Sequence, residues 1–327
     1  MGKVTGSWLT VNSIAPKARS KPAQRGLYFV AGVVLTERKG FSSTDLYLFL
    51  ATVLWGSDYF FAKIALREVS PLSFAAIRTL ISTAAIFPIF LRRERDWAVK
   101  PRNLLYLFGL ALLGTFINRV CWSKGVDLTT ASNASLLSTT CPIFLLLISF
   151  FLFRTAVSWR AALGILVSFA GVCLVIQGDW KEWVKGGGHV WGDLLMLLAS
   201  VTWAFFTVLA KFLMKDHSSL KITAYIMLIG SILFLPFLSN EKAGGWSGVS
   251  VLGWVSVLYV AFTGYFLAYF FWMRGIQNIG PMRTILYSYL TPITAILFAV
   301  PLLGETLTTG QIWGAGIVFA GIFLARS

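Results

Sequence analysis

The sequence predicts an all-α integral membrane protein of ten transmembrane helices, arranged as two inverted five-helix repeats. Of its 327 residues, 57% are hydrophobic and only 13% are charged, whereas soluble domains carry about 25% charged residues. Apolar runs long enough to cross a bilayer recur along the chain, and an ordered series of residues in the first half returns in the second half. Composition therefore favours a bilayer environment, and the other two observations set the number and arrangement of the spans.

The apolar runs set the number of predicted spans. A helix needs about 20 apolar residues to cross the hydrocarbon core of a bilayer. The connecting segments are short and hold most of the charges, so none is long enough to form a soluble catalytic domain. The predicted spans are 45–66, 72–91, 103–123, 131–153, 159–177, 192–213, 222–239, 249–272, 281–303 and 310–325.

The two halves of the chain are similar in sequence. The segment 55–63 aligns with 203–211, and Pro142 aligns with Pro292. An ordered series of such matches indicates an internal duplication. Further pairs in the series are Pro88 with Pro236, Gly114 with Gly264, Trp122 with Trp272 and Gly164 with Gly314. The predicted organisation is a basic N-terminal extension at 1–44, a first repeat at 45–177, a linker at 178–191 and a second repeat at 192–325.

Each predicted repeat has five spans, so the second repeat enters the bilayer from the side opposite to the first. Two inverted repeats around a shared midplane are the architecture by which many secondary transporters alternate access to a solute site. A membrane enzyme has no comparable need for this symmetry. The duplication therefore predicts a transporter.

The basic residues predict the orientation. Twenty of the 28 Lys and Arg residues fall on the side of the N-terminal tail, six fall on the other side, and Arg78 and Arg119 lie within spans. Cytoplasmic loops of membrane proteins carry an excess of Lys and Arg. We therefore expect an inner-membrane protein with both termini in the cytoplasm. The same distribution accounts for the net charge of +15 without a nucleic-acid partner.

Several segments resemble a known family. They are residues 130–144 and 164–172, Trp55-Gly-Ser, Ala76-Ile-Arg78, Pro292, Gly304-Glu305, Gly314 and Ala320-Gly321. Together they resemble the EamA module of the drug/metabolite transporter superfamily, over roughly residues 45–325. The resemblance implies a ten-helix inner-membrane carrier, usually an exporter of amino acids, related metabolites or drugs, with a central cavity between the repeats. The chain departs from the family pattern at Arg154-Thr155, the counterpart of Gly304-Glu305, and at Asp58, where an uncharged residue is expected.

Among the ionisable residues within predicted spans, the functional candidates are Asp58, Arg78 and Arg119. Such residues are energetically expensive in a bilayer and indicate function by default. Their equivalents in the second repeat are uncharged, which predicts a cavity with a charged wall from the first repeat and an aromatic wall from the second. The candidates for the aromatic wall are Trp203, Phe206, Tyr225, Tyr265, Tyr269 and Tyr287.

The two arginines suit a carboxylate or another anion. Asp58 then has three possible roles: it holds an ammonium group, pairs with an arginine, or takes a coupling proton. An amino acid or a similar zwitterion satisfies every part of this arrangement. The alternative is structural, with Asp58 and Arg78 paired across adjacent helices and Arg119 extended outward to the membrane surface.

Pro142 and Pro292 lie about halfway along the predicted fourth and ninth spans. Proline kinks a helix by removing a backbone hydrogen bond, so matching prolines predict paired hinges, or else an inherited bundle shape. Small residues such as Gly164, Ser168 and Gly171 predict close helix packing, or else a contact in a homodimer. The protein is otherwise expected to be a monomer.

The sequence leaves three functions open. The first is a secondary transporter, expected to be an exporter of amino acids or related small metabolites. The second is a carrier for uptake or exchange of phosphorylated or nucleotide-linked solutes. The third, a membrane-embedded transferase, is disfavoured because the sequence has no His-Glu-x-x-His motif, no phosphate-binding Gly-Lys-Ser/Thr loop and no clustered carboxylates. We accordingly expect no enzymatic activity, no cofactor and no metal, with a small-molecule solute and the lipid bilayer as partners.

Overall fold

A computed structural model describes residues 42–153, 159–176, 188–239, 242 and 245–326 of the chain. Every regular element within these residues is a helix, which confirms the predicted all-α fold. The predicted N-terminal extension lies outside the described residues except for 42–44, and so does most of the predicted linker. The bounds predicted for the two repeats remain predictions.

The first half contains six helices in the described residues. Serine side chains cap the first two: Ser42 forms a capping box with Asp45 at the start of α1, and Ser70 caps α2, whose first residue is a proline. Such caps satisfy amide groups that have no partner within the helix. The helices are α1 Ser43–Glu68, α2 Pro71–Arg93, α3 Pro101–Leu128, α4 Ala131–Ser138, α5 Cys141–Phe153 and α6 Trp159–Ile176.

The described residues of the second half also form six helices. They are α7 Gly188–Leu213, α8 Ser219–Phe234, α9 Val251–Ile279, α10 Pro281–Thr284, α11 Thr291–Leu303 and α12 Thr309–Arg326. A short 3₁₀ segment, Ile285–Leu290, joins α10 to α11. In the described part of the chain, eight helical stretches are long and apolar enough to cross a membrane, and Leu163–Val175 forms a shorter apolar helix. The total of ten spans remains a prediction.

The contacts between helices show that the repeats are inverted. We call the end of the bundle at which α1 begins the proximal end, and the opposite end the distal end. Lys63, late in α1, donates to the carbonyl of Asp127 at 3.2 Å, which places the end of α3 at the distal end. Thr129 then donates to Asp193 at 2.7 Å, near the start of α7. The first helix of the second repeat therefore begins where the first helix of the first repeat ends.

Matching irregularities occur in α3 and α9. Residues Leu112–Ile117 and Ala261–Ala268 are wound as π-helix, a form that is often found at functional sites. Each stretch contains one glycine of the repeat series. A side chain at Gly264 would overlap Asp58, and a side chain at Gly114 would overlap Phe206. Because residues 58 and 206 are equivalent in the two repeats, the packing follows the duplication seen in the sequence.

The fourth and ninth spans are interrupted. Between α4 and α5 the chain makes a turn at Thr139 and Thr140, and Pro142 is the second residue of α5. Pro292 is likewise the second residue of α11. Proline at the start of a helix removes no intrahelical hydrogen bond. Each proline therefore starts a helix, where the sequence had suggested a kink within a continuous one, and a hinge role remains a prediction.

The small residues of α6 and α12 pack against each other. A Cβ atom at Gly171 would lie 2.7 Å from the carbonyl oxygen of Gly314, and one at Gly314 would lie 2.7 Å from the carbonyl oxygen of Gly171. Ser168 donates to the carbonyl of Val318 at 3.3 Å. These predicted small-residue surfaces thus make a contact within one chain, as is common for helix packing in membranes.

Candidate functional site

A buried cavity of about 90 Å³ lies between the two repeats, near the middle of the helices. By volume it holds about six water molecules, at roughly 15 Å³ of cavity space for each. Both interrupted spans reach it, because α5 and α11 begin at Cys141 and Thr291 in its wall. The charged and aromatic lining residues are Trp55, Asp58, Tyr59, Arg78, Arg119, Trp122, Trp203 and Tyr265.

Asp58 is buried in the wall formed by α1 and α9. Its side chain is 3% exposed and accepts a hydrogen bond of 3.0 Å from the hydroxyl of Thr263. The carboxylate packs against the backbone of Gly264, whose carbonyl accepts a hydrogen bond of 2.8 Å from Nε1 of Trp55. The lack of a side chain at position 264 is what leaves room for Asp58.

Arg78 is packed into the wall from α2. Its side chain is only 2% exposed, and its Nη2 donates to the hydroxyl of Ser123 at 3.1 Å. The guanidinium carbon lies 4.9 Å from the ring centre of Phe74 and 4.6 Å from that of Trp122. Within the described residues, no ion pair at 4.0 Å or less joins Arg78 to Asp58. The alternative of a direct Asp58–Arg78 pair is therefore wrong.

Arg119 reaches across the cavity to the second repeat. Its guanidinium carbon lies 4.3 Å from the ring centre of Tyr265, 5.4 Å from Trp203 and 5.6 Å from Tyr269. The side chain is 8% exposed, and its Nε and Nη2 atoms are buried without a hydrogen-bond partner. Arg119 thus does not extend outward to the membrane surface, as the structural alternative required. It is held by cation–π contacts in the interior.

Four of the predicted aromatic residues form one cluster beside the cavity. The ring centres of Trp203 and Phe206 are 5.0 Å apart, and those of Tyr265 and Tyr269 are 5.4 Å apart. The sequence prediction missed Trp55, which packs edge-on against Trp203 at 5.7 Å. The repeat alignment could have identified Trp55, because it is equivalent to Trp203, which was predicted to lie in the aromatic wall. The aromatic wall therefore belongs to both repeats.

Tyr225 and Tyr287 do not line this cavity, and neither do Phe206 and Tyr269 of the aromatic cluster, so a contact of these residues with a solute remains a prediction. Tyr225 donates to the carbonyl of Trp97 at 2.6 Å, in the segment between α2 and α3. Tyr287 donates to the carboxylate of Asp45 at 2.6 Å, near the start of α1. Both hydroxyls therefore lie towards the proximal end of the bundle, where they link the first repeat to the second.

The cavity lining combines one carboxyl group and two guanidinium groups with several unused hydrogen-bond donors. Its charged lining residues are Asp58, Arg78 and Arg119. Nε of Arg78 and the hydroxyls of Tyr265 and Thr291 are buried without partners, as are the two nitrogen atoms of Arg119. Buried polar groups in proteins normally have a partner, so each exception asks for an explanation. In the described part of the chain, no cluster of three or more His, Cys, Asp or Glu side chains could hold a metal ion.

Polar contacts join the repeats at both ends of the bundle. At the proximal end, Tyr287 bonds to Asp45, and Lys221 forms an ion pair of 3.4 Å with Asp96. At the distal end, Glu305 accepts hydrogen bonds of 2.7 and 2.9 Å from the first two amide groups of α4.

The sequence pattern of the EamA-like transporter family matches residues 42–177 and again residues 190–327. The chain belongs to the EamA-like transporter family. As a member of this family it is a multi-pass membrane transporter, and the predicted family resemblance is confirmed.

Curated relatives of this EamA-like transporter span nearly its whole length. An uncharacterized transporter of Archaeoglobus fulgidus is 31% identical over 88% of this chain and 98% of its own length. The uncharacterized transporter YetK of Bacillus subtilis is 26% identical, with 90% and 89% covered. The uncharacterized inner membrane transporter YedA of Escherichia coli is also 26% identical, with 85% and 88% covered. A solved crystal structure shares the fold, with a TM-score of 0.62 and 20% identity over 88% of this chain and 97% of its own.

Proposed function

We propose that this transporter exports amino acids or related small metabolites across the inner membrane by alternating access. The observation that carries the proposal is the buried cavity between the repeats, which contains one carboxylate and two guanidinium groups. A zwitterionic solute offers a carboxylate to the arginines and an ammonium group to Asp58.

Polar contacts between the repeats at both ends of the bundle support alternating access. Separating the contacts at one end while those at the other end persist would expose the cavity to one side of the membrane. The excess of basic residues on the side of the N-terminal tail supports a cytoplasmic location of both termini. Under this orientation the proximal end faces the cytoplasm, and export begins with its opening.

The two arginines also favour a second candidate, a carrier for phosphorylated solutes. Arginine binds phosphate groups well because its planar fork matches their oxygen atoms. The lining also contains the carboxyl group of Asp58, however, to which a zwitterion offers an ammonium group and a simple phosphate ester offers none. An amino acid therefore uses more of the lining groups.

Counterflow in proteoliposomes tests the proposal. Vesicles are loaded with one unlabelled solute, and the uptake of a trace of the same labelled solute is measured across a panel of amino acids, organic acids and phosphate esters. We expect counterflow of at least one small amino acid, none in protein-free vesicles, and strong reduction in Asp58→Asn and Arg78→Ala. Counterflow of phosphate esters without any amino acid would establish the second candidate instead.

A further inference from the structure

We infer that Arg119 is the residue that binds the carboxylate group of the solute. The inference rests on the proposed function and deepens it, because it assigns the anionic end of the solute to one guanidinium of the two. Four observations carry it: the unused donors of Arg119, the position of its guanidinium, the different surroundings of Arg78, and the size of the cavity.

The unused donors of Arg119 are the first observation. A guanidinium has five N–H groups. The Nε and Nη2 atoms of Arg119 hold three of them, and both atoms are buried without a partner in the described residues. Leaving a buried charged donor unpaired is strongly unfavourable. The described chain therefore supplies no partner for these donors of Arg119, and a bound anion would provide one.

The position of the guanidinium is the second observation. It lies over Tyr265 at 4.3 Å and is flanked by Trp203 and Tyr269. The N–H groups of a guanidinium lie in its own plane and match the two oxygen atoms of a carboxylate. The Nε and Nη2 atoms are fully buried in this structure, so a carboxylate reaches them only when neighbouring side chains move.

Arg78 has different surroundings, and these are the third observation. It already donates to Ser123, and its guanidinium lies within 5 Å of two ring centres, those of Phe74 and Trp122. At 2% exposure it is also more deeply buried than Arg119 at 8%. Arg78 thus supports Trp122 in the wall of the cavity and contributes its charge from behind. Arg119 has two unpartnered nitrogen atoms, Nε and Nη2, whereas Arg78 has one, Nε.

The size of the cavity is the fourth observation. Its volume of about 90 Å³ suits a small monocarboxylate better than a bulky phosphate ester.

Ligand binding to the purified full chain in detergent tests this inference. Propionate, L-alanine and ethyl phosphate serve as probes at constant ionic strength, and apparent affinity is read from the shift of the thermal unfolding midpoint with ligand concentration. Arg119→Gln should weaken the binding of propionate and L-alanine by about 10- to 150-fold, the loss expected for hydrogen bonds to a charged group. Arg119→Lys keeps the charge but loses the fork, and should weaken binding by about tenfold.

Arg274→Gln is the matched control. Arg274 also lies over an aromatic ring, that of Tyr47 at 5.8 Å, but it is exposed and outside the cavity. We expect it to bind the probes like the wild type. The midpoint of each variant without ligand verifies folding, and if Arg119→Gln does not fold, Arg119→Lys carries the test.

Four results would overturn the inference: no stabilisation of the wild type by either carboxylate, tighter binding of ethyl phosphate than of propionate, wild-type affinity in both Arg119 variants, or equal weakening in Arg274→Gln. The proposed function fails separately. If propionate binding depends on Arg119 but no amino acid shows counterflow, the exporter proposal is wrong and the carboxylate site stands. If Arg119→Gln transports amino acids with unchanged half-saturation, the inference about Arg119 is wrong and the exporter proposal stands.

Discussion

Replacing Gly264 with alanine tests the packing that places Asp58 in the cavity. An alanine Cβ at this position would overlap the carboxylate and would lie 2.5 Å from its carbon atom, so Asp58 must move. Inserting a methyl group into a packed interior destabilises a protein by about 1–3 kcal/mol. Alanine also stabilises a helix by about 1 kcal/mol relative to glycine. The overlap and the helix propensity therefore act in opposite directions.

Gly109→Ala separates these two effects. Gly109 lies in α3 with no atom within 4 Å of the position of its missing Cβ, so alanine there gains helix propensity without a clash. Because the propensity term cancels in the comparison, Gly264→Ala should be less stable than Gly109→Ala by about 1–3 kcal/mol. The free energy of unfolding is measured by SDS titration in mixed micelles, followed by circular dichroism.

A double-mutant comparison identifies the colliding group. Asp58→Ala removes the carboxylate, so the double variant with Gly264→Ala should recover most of the lost stability through a favourable coupling energy. Asp58→Asn keeps the size of the side chain, so its double variant should recover little. Equal stability of Gly264→Ala and Gly109→Ala, or strictly additive double variants, would refute the proposed packing of Asp58 against α9.

Three further predictions concern charged groups. Asp58→Asn should weaken the binding of L-alanine by about tenfold or more, through loss of a charged partner, while changing that of propionate much less; equal loss for both probes would exclude an ammonium-binding role. Glu305→Gln should destabilise the chain by about 1–3 kcal/mol in SDS titration, because a carboxylate that accepts from two amides at a helix N-terminus is replaced by a neutral amide. The backbone amide of Ala98 and the ammonium of Lys221 hold the pKa of Asp96 below its ordinary value. Ionised Asp96 therefore stabilises the folded state above about pH 4, and this stabilisation is lost as the pH falls through the lowered pKa. The difference in unfolding midpoint between wild type and Asp96→Asn should thus be constant from about pH 5 to pH 8 and shrink below about pH 4, and a constant difference at all pH values would contradict this linkage.

Hydropathy and internal duplication were enough to predict the fold class. Both are properties of long stretches of sequence, so an error in the interpretation of a single residue does not change the predicted fold class. The interruptions of the fourth and ninth spans were partly visible, because a proline occurs at each. Their form was not predictable, since a proline within an apolar run is compatible with a kink or with a new helix start. The π-helical stretches in α3 and α9 had no recognisable sequence signal.

The candidate site was predictable where chemistry alone was decisive. Asp58, Arg78 and Arg119 were identified because charges within spans are rare, and the structure brings all three to one cavity. The position of Tyr225 and Tyr287 outside this cavity was not predictable, because tyrosine is equally common in packed interiors and at helix ends. The contact of Arg119 with Tyr265 joins residues from different repeats, and a single sequence carries no information on which residues meet across that boundary.

Asp58 in the first repeat is equivalent to Phe206 in the second, so the two repeats differ in chemistry at this position. Each residue faces an equivalent glycine, so the duplicated scaffold is nearly the same on both sides while one side holds a charge and the other a ring. Under the proposed alternating access, an entirely symmetric pair of repeats would give the two access states equal energy. Because the two repeats here differ in chemistry, we expect one state to predominate even when no solute is bound.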